Sequence, residues 1–379
     1  MAVSRREFLC SLAAAGACLA GDRGEILPTE ARRYADPSTD ATVVRLTDPA
    51  HRSWLPAWPG RTIGRRGGFL IYASDRSGTP QAYRLDLKTG QSRGLSEAAN
   101  LVPDSLSLTP DERGFCYLDA DALTSASFSN LRTRDVYRLA AGYEPGTGFH
   151  LSDDGLYAVL VERKGTSSRV RLVATRTGSA VTLAESQSDE LSRPLIRPKR
   201  AGIMYRRGKD ELWVVNFDGA QNRKLRVADG GTGPAFWSAD GRAILYLNYP
   251  SDPKLLHNIR EFVPDTNEDR AVANTTQFAA FGGNGDSNVF VGASGSKASP
   301  YVLLLVRSVK RELTLCEHHS SDPAGVNPLF SPNSQRIFFQ SDRDGKMAIY
   351  TMVVDRLVAE TETEEENDGS PEAPGKKKK

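Results

Sequence analysis

Cysteine and histidine are scarce in this chain, and neither is grouped. Four cysteines among 379 residues include no CxxC pair, which excludes a disulfide framework and a zinc site. The five histidines, at positions 51, 150, 257, 318 and 319, follow no metal-ligand spacing. No apolar run reaches the ~20 residues a membrane helix needs. An excess of one charge is missing too, with Lys+Arg 49 against Asp+Glu 47, so no nucleic-acid partner is expected. There is no GxSxG nucleophile elbow, and hydrolase chemistry is unsupported. Apolar residues at helical spacing are essentially absent. What is present is a 39% apolar fraction, enough to fill a core.

Both ends read as something other than fold. Ser4-Arg5-Arg6-Glu7-Phe8-Leu9 precedes the short Ala/Gly-rich segment CSLAAAGACLAG, so residues 1–20 are expected to be a twin-arginine-type signal peptide. Cleavage after Ala17 and cleavage after Ala20 both fit, and export implies a periplasmic or extracellular protein in an oxidising compartment. Membrane contact would require lipidation at Cys18, where Ala15 makes a weak lipobox. Residues 359–379 hold six glutamates, one aspartate, two prolines and a terminal lysine run, and are expected to be a disordered tail. Cys116 and Cys316 lie in strand patterns and are expected to be buried thiols.

Between the ends lies a repeat. Turns of Pro/Ser/Asp/Gly character recur at Leu108-Thr109-Pro110-Asp111, Leu151-Ser152-Asp153-Asp154-Gly155, Trp237-Ser238-Ala239-Asp240-Gly241 and Phe330-Ser331-Pro332-Asn333. The strands that follow begin near Phe69, Phe115, Tyr157, Ile203, Ile244, Val289 and Ile337, at spacings of 46, 42, 46, 41, 45 and 48 residues. That period is a propeller blade's. The spacing predicts an all-β, seven-bladed β-propeller over residues 42–354. Asp75-Arg76-Ser77-Gly78 and Asp342-Arg343-Asp344-Gly345 are expected to be hairpin turns between second and third strands. The last blade offers three strands, Val326–Phe330, Ile337–Gln340 and Ala348–Val353, and an N-terminal strand at Thr42–Leu46 is expected to close it.

Function on such a ring is expected on the face where the inner strands begin, whose loops sit on a rigid scaffold. Across that scaffold the sequence resembles the oligogalacturonate lyases. The resemblance rests on RLTDP (Arg45–Pro49), His51-Arg52, YRLDLKTG (Tyr83–Gly90), SRPLIRP (Ser192–Pro198), LWVVNFDG (Leu212–Gly219), FWSADG (Phe236–Gly241), LYLNY (Leu245–Tyr249) and PLFSPNSQRIFFQSDRDGKMAIY (Pro328–Tyr350). It implies a seven-bladed propeller and β-elimination on galacturonate oligomers in pectin degradation. A divalent metal, typically manganese, would bind the uronate carboxylate, and a histidine would take the C5 proton.

The chain departs from that pattern where the chemistry sits. The position of the base histidine holds Pro234, and the metal histidine opening the sixth blade aligns with Gln277. Gly325 and Asn327 stand where two imidazoles are expected before the last blade, and Arg193 replaces another in the fourth. The inherited mechanism is therefore expected to be absent, with no catalytic residue assigned and no cofactor expected; manganese or another divalent metal would return only with a rebuilt site. Candidate binding residues are His51, Arg52, Trp54, Arg193, Arg197, Trp237, Gln277, His318, His319 and Asn327, with Trp58 a further stacking candidate. Guanidinium groups pair bidentately with uronates, and indoles stack on sugar faces. His150 is expected in the core and His257 on the surface. Three functions compete: a propeller binding acidic oligosaccharides without turnover, an active lyase with relocated metal ligands, and a TolB-like, WD40-like propeller whose mouth meets a protein partner.

Overall fold

The computed structural model describes residues 23–56 and 60–354. The expected leader with Cys18, the charged tail and Trp58 lie outside the described residues. Seven antiparallel sheets follow one another around a ring; five are built from consecutive strands, and the first and last also take in strands from the N-terminal stretch. The second strands are Phe69–Ser74, Gly114–Asp119, Tyr157–Lys164, Gly202–Arg207, Ile244–Tyr249, Val289–Ser294 and Arg336–Ser341. Each contains one of the seven anchors read from the repeat.

Residue type follows position in the blade. Middle strands are covered on both faces by neighbouring blades, so they read as unbroken apolar runs. Val289–Ser294 (VFVGAS) is buried throughout, and Tyr301–Val306 (YVLLLV) nearly so. Outer strands meet water and turn polar, as in Thr133–Arg138 (TRDVYR). Clusters of apolar side chains fill the interfaces between successive blades, including the seam between the last and the first. There Leu46, Leu55, Leu70, Tyr72, Phe338 and Ile349 pack together.

The turn joining first to second strands repeats one hydrogen-bonded unit. In the second, third and fifth blades a Ser or Thr hydroxyl donates to the Asp two residues on: Thr109 to Asp111 at 2.7 Å, Ser152 to Asp154 at 2.6 Å, Ser238 to Asp240 at 2.7 Å. The same oxygens accept the N–H that opens the second strand, from Gly114, Tyr157 and Ala243. Blade seven substitutes Asn333 as the acceptor for Ser331. The expected hairpins at Asp75–Gly78 and Asp342–Gly345 close through Gly78 N–H to Asp75 O and Gly345 N–H to Asp342 O.

Closure goes further than expected. Thr42–Arg45 pairs with Ala348–Val353 of the last blade, as predicted, through Val44 opposite Thr351 and Arg45 opposite Tyr350. Arg32–Ala35 then adds a fifth strand outside it. Ile26–Leu27 instead joins the outer edge of the first blade, beside Ser92–Gly94. The sheets thus take in residues ahead of the expected start at Thr42. A bidentate pair from Arg76 to Glu30, at 2.7 and 2.9 Å, fastens the intervening chain to the first blade. The last blade's inner strand is shorter than expected, Leu329–Phe330, because Pro323–Val326 forms a 3-10 turn and Asn327 adopts φ 46° before Pro328.

Candidate functional site

The front mouth is the end of the axis where the inner strands begin. These starts are irregular: bulges fall between Pro145 and Phe149, Ser192 and Leu195, Thr232 and Ala235, and Phe278 and Ala280. Bulges re-aim side chains at the rims of closed sheets. Arg193 and Gln277 both take left-handed backbone conformations there, φ 49° and 54°. That region is uncommon for side chains other than Asn, Asp or Gly. Gly148 (φ 114°) makes room for Arg193, since a Cβ would lie 2.7 Å from the Arg193 Cα.

Two guanidinium groups and a carboxyl share this mouth. Arg206, at the end of the fourth blade's second strand, is 8% exposed. It donates to the carbonyls of Lys209 and Thr232, each at 3.1 Å, and to that of Gly233. No ion pair reaches it among the described residues; burial first, then the field of Arg193, lowers its pKa to about 10. Asp104, in the 3-10 turn Pro103–Ser105 of the second blade, stands across from Arg193. Its surface is exposed, yet the surrounding protein lifts its carboxyl above the usual range, with Arg193 opposing. A side chain standing in a concave mouth behaves this way. The sequence reading missed Arg206 because RR in a strand carries no motif; only the fold shows one of the two buried and unpaired.

The positions where imidazole is expected have other uses. Pro234 follows Thr232 and Gly233, whose carbonyls Arg206 clamps. Gly325 and Asn327 belong to an amide seam between the last and first blades. Gln340 Nε2 donates to Gly325 O at 2.5 Å, Leu55 N–H donates to Gln340 Oε1 at 2.8 Å, and Asn327 Nδ2 reaches Leu55 O at 3.4 Å. Gln277 is exposed at its bulge, its carbonyl accepting from Gly295 N–H at 2.8 Å. Among the described residues, no group of three or more His, Cys, Asp or Glu could hold a metal. Arginine, proline and lone amides do not make a donor set for manganese, and no chemical step is routed through one.

The remaining candidates divide between structure and rim. His318 is fully buried; its Nδ1 accepts from Ser320 N–H and its Nε2 meets Ser294 O, both at 3.0 Å. Burial holds its pKa below the usual imidazole value, with the Ser294 contact opposing. It is a neutral core residue with both nitrogens engaged. His319 is exposed and pairs with Glu317. His51 and Arg52 lie in the loop entering the first blade, with the Arg52 guanidinium 5.7 Å from the Trp54 ring. Arg197 and Trp237 stand at the far ends of their inner strands, away from the front mouth. There Arg197 grips Asp265 through two bonds of 3.0 Å and covers the Trp237 ring at 4.9 Å, while Trp237 Nε1 donates to Leu195 O. His257 is half-buried at the front, its ring 4.6 Å from that of Tyr249.

No family model matches the sequence. The chain is 24% identical over 384 residues to the oligogalacturonide lyase of Pectobacterium atrosepticum, covering 86% of this chain and 97% of the relative. Identity to the oligogalacturonate lyase of Dickeya dadantii is also 24%, over 388 residues with the same shares. Among solved structures, an oligogalacturonate lyase in complex with manganese superposes with TM-score 0.83 at 23% identity, covering 89% of this chain and 99% of that one. The oligogalacturonate lyase of Vibrio parahaemolyticus gives 0.81 at 23%, covering 89% and 100%. The chain is therefore a seven-bladed propeller similar along most of its length to the oligogalacturonate lyases.

Proposed function

We propose that this protein is an exported propeller that binds acidic, uronate-containing oligosaccharides at its front mouth without the metal-and-histidine elimination that the family resemblance implies. The observation that carries the reading is Arg206: a guanidinium 8% exposed, bonded only to carbonyls and in no ion pair among the described residues, with Arg193 as its strongest charged neighbour and Asp210 a weaker one. A desolvated cation without a carboxylate partner favours an incoming one, and a guanidinium fork matches it geometrically. Arg193 is held at the rim by the left-handed turn of its bulge. Arg52 and Trp54 supply a cation and an aromatic face for a neighbouring sugar. Export rests on the Arg5-Arg6 leader, and the uronate class rests on the relatives' names.

Calorimetry with trigalacturonate tests binding, and ultraviolet absorbance of unsaturated product tests turnover. We expect one site per chain, affinity at least tenfold weaker in Arg193→Ala, and no absorbance rise with or without added manganese. A manganese-dependent rise would favour the relocated-ligand lyase. No binding by the folded wild type would leave the protein-partner reading in its place.

A further inference from the structure

The opposite end of the axis holds a cavity of about 320 Å³, formed where the seven inner strands finish. Its walls are apolar: Leu108, Ile196, Phe236, Trp237, Leu329 and Phe330 come from four different blades. Several polar groups also line it, among them Arg65, Glu112, Asp153 and Asn284, together with His150 and Arg61. His150 ends the third blade's inner strand, and its Nδ1 accepts the Ile196 N–H at 3.3 Å. The proton of the neutral ring is therefore on Nε2, which has no hydrogen-bond partner among the described residues. Arg61 enters from the first blade and donates to Ser152 O at 2.7 Å and Asp153 O at 3.0 Å. It makes no ion pair among the described residues, and its Nε is buried without a partner. Burial lowers the pKa of Arg61 and, with the Arg61 charge, holds that of His150 down at about 3.

We propose that this back cavity is a second binding site, specific for a small monoanion with a flat apolar body, such as a one- or two-ring aromatic carboxylate. The volume lies at the lower end of ligand sites, which run from ~300 Å³ upward. The walls supply apolar area, and Arg61 supplies a positive charge that carbonyl dipoles solvate, that no carboxylate pairs with among the described residues, and that the Asp153 charge only partly offsets. The His150 N–H gives a neutral donor whose state does not change over the physiological range. Asp153 and Glu112, the acidic groups at the cavity, sit in exposed or half-exposed turns, where water screens them. A dianion or a sugar would leave too much polarity against apolar wall. This site stands apart from the front mouth and does not depend on the uronate reading.

The test is calorimetry of the full chain with 1-naphthoate and its neutral isostere 1-naphthamide. We expect 1:1 binding of naphthoate, at least tenfold tighter than naphthamide. Arg61→Gln, which keeps a donor for the Ser152 and Asp153 carbonyls, should remove that difference. Ala239→Trp, at an exposed position on the rim, should abolish binding while leaving the melting temperature unchanged; it carries the test should Arg61→Gln not fold. Digalacturonate should not compete. Equal affinity for the two probes, no binding of either, unchanged binding in folded Ala239→Trp, or displacement by digalacturonate would each overturn the assignment.

Discussion

Asp104 shows how one side chain's surroundings decide its effect. Its carboxyl is raised by desolvation and eased by Arg193, so the folded state holds its proton more tightly than the unfolded chain does. The cost of ionising it is absent below the ordinary value near ~3.9 and complete once pH exceeds the raised one. Asp104→Asn is accordingly expected to raise the melting temperature at pH 7 and to leave it unchanged near pH 3, read by thermal melts at both. The same change removes a negative charge from the front mouth and should tighten trigalacturonate binding, measured calorimetrically. Cys116 and Cys316 are free and buried, as their strand patterns implied. Burial pushes the Cys116 thiol up to about 11 and the Cys316 thiol higher still. Neither should react with a disulfide reagent in the native state, and both should react at once in denaturant. Prompt labelling of the folded protein would contradict this.

The repeated turn is the element on which the blades are strung. Hydrogen bonds hold Asp111, Asp154 and Asp240 below the usual carboxylate range, led by the Thr109 and Ser152 hydroxyls at the first two and the Arg242 N–H at the third. A depressed pKa adds stability above the ordinary value, and that stability is lost as pH falls through the depressed one. Acid should therefore loosen these turns before the Asn333 turn of blade seven, whose acceptor does not titrate. Hydrogen exchange of the Gly114, Tyr157, Ala243 and Arg336 amides along a descending pH series would order them. Ser238→Ala removes a hydroxyl that bonds Asp240, Ala243 O and Ala243 N–H, and should cost about 1 kcal/mol by denaturant melts. These turns were the most legible part of the sequence, because a short polar unit recurring every blade must do the same job each time. The bulges were not legible: a left-handed Arg193 or Gln277 follows from register at the rim, not from residue type. Arg197 and Trp237 share this cause. They close strings that begin at the front, but an inner strand crosses the ring, so its last residues emerge at the back.

At the scale of the whole ring, propeller, blade count and closing strand were all readable from spacing, while neither mouth's chemistry was. Both depend on residues brought together from distant blades: Arg193, Arg206 and Asp104 at one end, Arg61 and His150 at the other. No string contains either set. The strand Thr42–Arg45 carries the closure, and its Val43 is fully buried in the apolar cluster between blades six and seven. Val43→Ala should cost about 2 kcal/mol; Val43→Asp, which buries an unpaired charge, should prevent a cooperative melt. A melt unaltered by Val43→Asp would show that the ring holds without its latch. The latch also sets the timing of assembly. The strand at Thr42–Arg45 leaves the ribosome among the first residues, and its partner at Ala348–Val353 among the last described ones. Six blades can stack while the chain is still being made, but the circle waits for synthesis to reach its far end. Until then the strand Thr42–Arg45 has only Arg32–Ala35 beside it, and the protein is an arc.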